Sequence, residues 1–220
     1  MIQKSTFQFL KQLTKNNEKA WFDEHRSAYL TAREDVIDFL TAILGHLAKK
    51  EASYAEIKPA SCLFRINRDV RFSANKAPYK TNFGAALNPQ GKKSGLAGLY
   101  VHLEPGGSFV GGGLWMPPTP IIHKVRQEID YQTNEFLSII NKPSFKQTYA
   151  DLDTSDSLKK LPKEYTPGHA AEKYLKLKSF VAFNTWNDED FFSKDAAKTV
   201  AKQLWDLQPL LAFMNRGLTD

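Results

Sequence analysis

The sequence predicts an α+β fold in a single domain, with a central antiparallel sheet packed by N-terminal and C-terminal helices. Apolar residues recur at a helical period near both ends of the chain, whereas the middle alternates between apolar and polar residues. A β-hairpin is expected at about residues 96–116. The 220 residues suffice for a core that buries roughly 70% of the unfolded surface, so we expect one domain over residues 1–220.

Two helices are expected in the N-terminal third. Ser5 and Gln8 have the spacing of a capping box, which predicts a short first helix. The apolar positions of that helix are Phe7, Leu10 and Leu13. From Trp21 to about Lys50 the apolar residues repeat with a period near 3.6, which predicts one long second helix.

Strands are expected in the middle of the chain. Residues 62–66 and 82–87 each predict a short strand, and a basic loop containing Pro78 separates them. Residues 99–104 of the hairpin alternate strictly, so two sets of side chains face opposite sides of the sheet. Three glycines at 111–113 predict a bulge or a close approach to the backbone. The apolar set of the hairpin is Leu99, Val101 and Leu103, and the polar set is Tyr100, His102 and Glu104.

Helices return in the last third. Thr119 is the expected N-cap of a helix that starts at Pro120 and runs through Ile140. The prolines of the polar stretch that follows predict short elements rather than another long helix. The remaining predicted elements are short helices and loops at 142–170, a last strand at 176–186, and a helix from about 188 through Leu207 that breaks at Pro209.

The composition is that of an ordinary globular protein. With 42% hydrophobic and 25% charged residues, the chain is unlike a disordered or fibrous one. No stretch approaches the run of about 18 apolar residues that a membrane helix needs, and the first residues are too polar for a signal peptide. We therefore expect a cytoplasmic protein without a membrane partner. Cys62 is the single cysteine, which excludes a disulfide within the chain, and we expect it in the core.

The net charge of +6 is concentrated in the middle third. Residues 61–126 carry nine Lys and Arg against two Asp and Glu. Residues 1–60 carry nine against eight, and residues 127–220 carry twelve against fourteen. A local excess of this kind attracts phosphates or nucleic acids, so the middle third is where a ligand is expected.

A set of mostly basic residues at 65–80 forms the candidate ligand-binding site. Guanidinium groups bind phosphate and carboxylate through paired hydrogen bonds, which suits such a set to an anionic ligand. Asp69 offers a second interpretation, because it can neutralise an arginine internally, and arginines also serve as struts of ordered loops. The third interpretation is that these residues form an ordinary solvated surface without a ligand. The candidate residues are Arg65, Arg68, Asp69, Arg71, Lys76, Tyr79 and Lys80.

Tyr100, His102 and Glu104 share one face of the predicted hairpin and are the candidate catalytic residues. Together they offer a hydrogen-bond donor, a general base and a group that orients the base. The alternative is an ordinary solvated strand face. The five histidines show none of the spacings typical of zinc ligands, so no metal site is assigned and the cofactor stays open.

Several longer motifs run along the chain. The pattern R-x-x-R-D-x-R-F-S-x-x-K-x-P-Y-K extends from Arg65 to Lys80. Others are N-N-x-x-x-W-F-D from Asn16, G-G-G-L-W-x-P from Gly111 and L-K-L-K-S-F from Leu175. In these motifs the chain resembles a widespread family of bacterial and fungal proteins that carry a domain of unknown function. The resemblance covers nearly the whole chain and implies one full-length domain without implying a reaction. The family usually has an acid where this chain has Asn75, so this chain lacks any proton donor or metal ligand that the acid provides in relatives.

Three functions remain open on the sequence alone. The first is an anion-recognising protein, in one form an enzyme, that binds a phosphorylated small molecule or a nucleotide at residues 65–80. The second is a nucleic-acid-binding module in which Phe72, Tyr79 and Phe83 stack on bases between the charges. The third is a structural or partner-binding protein whose arginines are internal struts. The reaction and the oligomeric state stay open.

Overall fold

Helices and one antiparallel sheet build the fold, which confirms the α+β class. The computed structural model describes residues 1–219. Within that range, no helix has both the length and the apolar character needed to cross a membrane. The strands are β1 Phe83–Leu87, β2 Gly98–Leu103, β3 Phe109–Leu114 and β4 Phe180–Thr185. The α-helices are α1 Lys4–Lys15, α2 Lys19–Glu24, α3 Arg26–Ala48, α4 Pro59–Cys62, α5 Thr119–Tyr131, α6 Thr133–Ile140, α7 Pro143–Tyr149, α8 Glu172–Leu175, α9 Ala196–Asp206 and α10 Gln208–Thr219.

The four strands are ordered β1-β2-β3-β4. The pairing of β2 with β3 confirms the hairpin expected at 96–116. Along β2, Leu99, Val101 and Leu103 are each 1% exposed, whereas the alternate residues of that strand keep part of their surface in solvent. The period of two in the sequence therefore separates the core face of the strand from its polar face.

The chain forms two compact units, each assembled from three segments. Because the segments interleave, the polypeptide leaves and re-enters each unit. The expectation of one domain over residues 1–220 stays a prediction. Unit 1 comprises Met1–Gly91, Tyr100–Val110 and Thr185–Lys202. Unit 2 comprises Lys92–Leu99, Gly111–Asn184 and the residues from Gln203 onward.

The start of α1 differs from the prediction. Ser5 lies inside the helix, Gln3 is the N-cap residue, and no capping box forms there. Asp35 of α3 supplies the cap instead, because its carboxylate accepts hydrogen bonds from the backbone N–H of Gln3 and the hydroxyl of Thr6. The short first helix is confirmed as α1, but the capping box expected at Ser5 and Gln8 is wrong. A cap contributed by a distant helix has no local sequence signature.

The long helix predicted from Trp21 is also divided. It forms α2 and α3, which meet at His25. The His25 backbone has left the helical region, with φ −100° and ψ 19°. Its imidazole stacks on the Trp21 ring, and Nδ1 lies 2.9 Å from the Trp21 carbonyl oxygen. The side chain thus closes α2 on itself, which apolar periodicity alone does not reveal.

The strand predicted at 62–66 does not form. Cys62 ends α4 and is buried, as expected for a core cysteine. Leu63 forms an isolated antiparallel bridge with Ala85 of β1. The neighbouring segment folds back on itself to pair Asn67 with Tyr79, so it does not extend along β1. The prediction at 82–87 is confirmed as β1.

The three glycines of β3 occupy crowded positions in unit 2. A Cβ on Gly111 would lie 2.3 Å from the carbonyl oxygen of Ala182, and one on Gly113 would lie 2.0 Å from that of Phe180. Gly113 also has a φ of +126°, a conformation that other residues rarely adopt. The predicted close approach to the backbone is therefore confirmed, and the approaching backbone is β4.

The predicted C-terminal elements are present with shifted ends. Thr119 is the first residue of α5 rather than its N-cap, which is Pro118. The helix expected through Ile140 stops at Tyr131, and α6 begins at Thr133, whose hydroxyl donates to the carbonyls of Ile129 and Asp130. The last strand is β4. The helix predicted from about residue 188 is divided into a 3-10 helix, Asp188–Phe192, and the α-helix α9. Pro209 lies in the first turn of the next helix, α10.

Candidate functional site

Residues 64–80, here called the basic loop, belong to unit 1, and the two ends of the loop lie side by side. Asn67 and Tyr79 form an antiparallel bridge at its base. Two further backbone hydrogen bonds close it, from Arg68 N to Pro78 O and from Lys80 N to Ile66 O, each 2.8 Å long. The loop is therefore ordered at its base, where backbone hydrogen bonds join its two ends.

Tyr79 anchors this base. Its side chain is only 6% exposed, and its ring stacks on Phe22 with centroids 4.0 Å apart. The side-chain amide of Asn17 donates to the Tyr79 carbonyl at 2.9 Å and accepts from the Tyr79 N–H at 3.0 Å. The structure thus places Tyr79 inside unit 1, where its ring is not presented to a ligand. Phe83 is likewise buried.

Arg68 is an internal strut of the basic loop. Its Nη1 donates to the carbonyl oxygen of Ala77 at 2.9 Å, and its Nη2 donates to the hydroxyl of Ser73 at 3.3 Å. Both acceptors belong to the loop, so the guanidinium joins its two sides. Lys76 adds a weaker tie, because its ammonium donates to the Val70 carbonyl at 3.1 Å while the side chain stays exposed.

Asp69 and Arg71 form a two-pronged ion pair at the surface of the loop. Arg71 Nε donates to one carboxylate oxygen at 3.0 Å and Nη2 to the other at 2.7 Å. These hydrogen bonds, with another from the Arg71 backbone N–H, lower the pKa of Asp69. The pKa of Arg71 is raised in turn by its bond to Asp69. The one acid of the loop is therefore occupied.

Arg65 and Lys80 remain at the loop surface. Arg65 is exposed and makes no hydrogen bond or ion pair within residues 1–219, although its charge contributes to the lowered pKa of Asp69. The Lys80 ammonium lies 5.5 Å from the centre of the Phe64 ring. Phe72 is 98% exposed, with the Arg71 guanidinium 5.9 Å from its ring centre. The structure does not gather the three arginines around one protein partner.

Tyr100, His102 and Glu104 form a continuous hydrogen-bonded line, here called the relay. His102 Nε2 lies 3.1 Å from Glu104 Oε2, and His102 Nδ1 lies 3.2 Å from the Tyr100 hydroxyl. A carboxylate only accepts, so the proton of a neutral His102 belongs on Nε2, and Nδ1 accepts from Tyr100. The predicted trio is thus brought together in the order donor, base and orienting acid.

Neighbouring residues hold the relay in place. The Thr81 hydroxyl donates to Glu104 Oε1 at 2.9 Å, and the Phe109 ring stacks on His102 with centroids 4.6 Å apart. A Cβ on Gly84 would lie 2.3 Å from the Tyr100 hydroxyl oxygen, so glycine leaves that oxygen its space. Burial, with a smaller contribution from Glu104, raises the pKa of Tyr100. Tyr100 therefore keeps its proton at neutral pH.

The basic loop adjoins the relay within unit 1. Thr81 follows the last residue of the loop, and the ring of Phe64 lies 6.3 Å from that of Tyr100. Sequence reasoning did not identify Thr81, because a single threonine 23 residues from its partner carries no pattern. Among residues 1–219, no group of three or more His, Cys, Asp or Glu side chains is arranged to hold a metal ion.

Comparison with known proteins places the chain in a family. The profile of the family described as "Conserved hypothetical protein (DUF2461)" matches residues 5–213. No curated protein and no solved structure matches the chain. The match takes in the basic loop, the relay and most of both units. The chain therefore belongs to this family of conserved hypothetical proteins, as its sequence motifs led us to expect.

Proposed function

We propose that the protein recognises a phosphate-bearing small molecule or a nucleotide with its basic loop. The observation that carries the proposal is the Arg65 guanidinium, which has no hydrogen bond or ion pair among residues 1–219 and lies in a loop whose single acid, Asp69, is already paired with Arg71. Lys76 and Lys80 add positive charge to the same short segment. An anion that reaches the loop therefore meets unneutralised charge and unused N–H donors.

The order of the loop supports this proposal. Arg68, the bridge at Asn67 and the anchor at Tyr79 fix the backbone before any ligand arrives. Binding of a ligand then costs little conformational entropy, because the backbone of its site is already ordered. The struts and the ligand arginines are therefore different residues of one loop, and the two sequence interpretations are compatible.

Calorimetric titration with inorganic phosphate, nucleotides and sugar phosphates tests the proposal. We expect Arg65→Ala to weaken the best ligand by about tenfold, the effect of about 1.4 kcal/mol of lost charged hydrogen bonding. Lys50→Ala is the matched control, because it removes an exposed positive charge of unit 1 outside the loop. Equal weakening in both variants, or no binding by the wild type, contradicts a specific site at the loop.

The relay favours an enzymatic form of the same proposal. Tyr100 can accept a proton from a ligand hydroxyl or water while its own proton passes to His102 Nδ1. The imidazolium formed in this way is stabilised by Glu104, which faces the opposite ring nitrogen. In phosphoester hydrolysis the deprotonated oxygen then attacks the phosphorus, the P–O bond to the ester alkoxide breaks, and the alkoxide takes the proton back from the His102 imidazolium through Tyr100.

Release of phosphate from the ligands that bind measures this activity. We expect Tyr100→Phe and His102→Asn to retain binding while turnover falls by about 10²–10⁴-fold, the range typical of general base catalysis. Retained turnover in Tyr100→Phe rejects the relay as catalytic. Binding without turnover in the wild type rejects the enzyme and leaves the recognition proposal standing.

Exposed aromatic rings favour a second candidate, the binding of single-stranded nucleic acid. Phe72 is nearly fully exposed beside Arg71, and Phe64 is 40% exposed beside Lys80. Base stacking on aromatic rings between cations is typical of such proteins. We expect Phe72→Ala to weaken oligonucleotide binding more than mononucleotide binding, and affinity to fall as salt rises. An unchanged oligonucleotide affinity in Phe72→Ala argues against this candidate.

A further inference from the structure

Arg126 of α5 is a buried charge in unit 2. It is 6% exposed, the one charged side chain among the buried polar residues of the part that the structure describes. Burial lowers its pKa. Removing a guanidinium from water costs several kcal/mol unless ion pairs and hydrogen bonds compensate it. The partners of Arg126 therefore decide whether this side chain is a strut or belongs to a site.

The protein compensates this charge only in part. Arg126 Nη2 donates to the Leu177 carbonyl oxygen at 2.9 Å, while Nε is buried and makes no hydrogen bond with residues 1–219. No carboxylate of those residues forms an ion pair with it. A guanidinium has five N–H donors, and one of them is used here. An oxygen-rich anion is the complement of such a group.

Glu164, the acid that acts electrostatically on Arg126, contacts another residue. Glu164 influences Arg126 through space, but its carboxylate lies at the surface, 3.6 Å from His123 Nδ1. Tyr165, which also interacts electrostatically with Arg126, is 8% exposed, and its hydroxyl makes no hydrogen bond with residues 1–219. Two buried side chains thus keep unused N–H and O–H donors in the same neighbourhood.

The geometry points to a second anion site in unit 2, in which Arg126 and Tyr165 bind the terminal carboxylate or phosphate group of a small molecule. Because both side chains are largely buried, the proposed ligand is a single oxyanion group rather than a polymer backbone. This site is independent of the basic loop, because its residues belong to unit 2 and the loop to unit 1. It does not depend on the proposed function.

Substitution of Arg126 by methionine distinguishes a site from a strut. Methionine fills similar space without a charge, so loss of a ligand arginine leaves the melting temperature unchanged or raises it, whereas loss of a strut lowers it. Lys124→Met is the matched control on the same helix, since Lys124 is exposed. Tyr165→Phe is a milder variant that removes only the hydroxyl.

Titration of the full chain with inorganic phosphate and, separately, acetate tests the site, with chloride as the ionic-strength control. We expect one of the two oxyanions to shift the Arg126 Nε–H resonance and raise the melting temperature. The oxyanion that produces these two changes, phosphate or acetate, identifies the chemical group that the site binds. Arg126→Met should abolish this response, and Tyr165→Phe should weaken it several-fold. Lys124→Met and Arg65→Ala should keep it.

Three results overturn the inference. The first is an Arg126 Nε–H resonance that moves no more with phosphate or acetate than with chloride. The second is a response that survives in Arg126→Met. The third is a melting temperature that falls in Arg126→Met but not in Lys124→Met, which makes Arg126 a strut. If Arg126→Met does not fold, the wild-type resonance and Tyr165→Phe still decide the matter. Failure at Arg126 leaves the basic loop proposal unaffected, since Arg65→Ala tests that loop separately.

Discussion

Arg68 and Arg71 lie three residues apart in the basic loop, yet their guanidinium groups meet different partners. Arg68 is half-buried and donates to two acceptors on the far side of the loop. Arg71 is exposed and donates to Asp69, two residues before it. Because a buried hydrogen bond contributes more than a solvated ion pair, the two arginines should differ in their effect on stability.

Alanine substitutions measure this difference. We expect Arg68→Ala to lower the free energy of unfolding by about 2 kcal/mol, the loss of two hydrogen bonds from a charged donor. Arg71→Ala should leave the urea midpoint nearly unchanged, because its ion pair is solvated on both sides. Equal destabilisation by the two variants would mean that Arg71, too, is a strut.

Sequence patterns identified the residues of the relay but not the residues that hold them in place. The period of two put Tyr100, His102 and Glu104 on one face, where side chains two residues apart are close enough to form hydrogen bonds. Thr81 reaches Glu104 through tertiary folding, which no local pattern encodes. Arg126 had a weak signal, since it follows Ile122 by four residues on the apolar side of a helix, where a cation is unusual.

Strands β3 and β4 illustrate how glycine sets the distance between elements. At Gly111 and Gly113 there is no volume for a side chain between the two backbones. The run of three glycines made this close approach predictable from the sequence, whereas the helix ends were harder to predict. The cap of α1 comes from Asp35 and the division of α2 from α3 comes from His25, and both depend on contacts of particular side chains.

Two alanine substitutions test the role of glycine in opposite directions. Gly113→Ala should destabilise the protein by about 3 kcal/mol or more, because it combines an unfavourable φ with a backbone clash. Gly45→Ala, in α3, meets nothing within 4 Å and should stabilise by about 0.5–1 kcal/mol through helix propensity. Urea unfolding of both variants provides the measurement, and a tolerated Gly113→Ala would contradict the described β3–β4 spacing.

At the scale of the whole molecule, buried and half-buried tyrosines control stability in alkali. Burial raises the pKa of five of them above the ordinary value of 10.0. Above that pH the unfolded chain has lost phenolic protons that the folded chain still holds. The folded state then binds more protons, so stability falls as pH rises. The five are Tyr29, Tyr100, Tyr149, Tyr165 and Tyr174.

We expect the free energy of unfolding to decrease from pH 9 to pH 11, measured with urea at each pH. A single deeply buried tyrosine contributes up to about 1.4 kcal/mol per pH unit once its unfolded form ionises. Tyr149→Phe should make the decrease shallower, although it also loses the hydrogen bond to the Gln203 carbonyl and lowers stability at neutral pH. A stability that stays constant over this range contradicts the prediction.

The interleaved segments of unit 1 have a consequence for synthesis on the ribosome. Phe191, from the last segment, packs against Phe7 and Phe39 from the first, and its carbonyl accepts a hydrogen bond from Ile2 N–H. A nascent chain that has not yet produced residue 191 leaves those N-terminal rings without this partner. Helices α1 and α3 therefore lack part of their packing until residue 191 has been synthesised, and until then their apolar surface is open to chaperones.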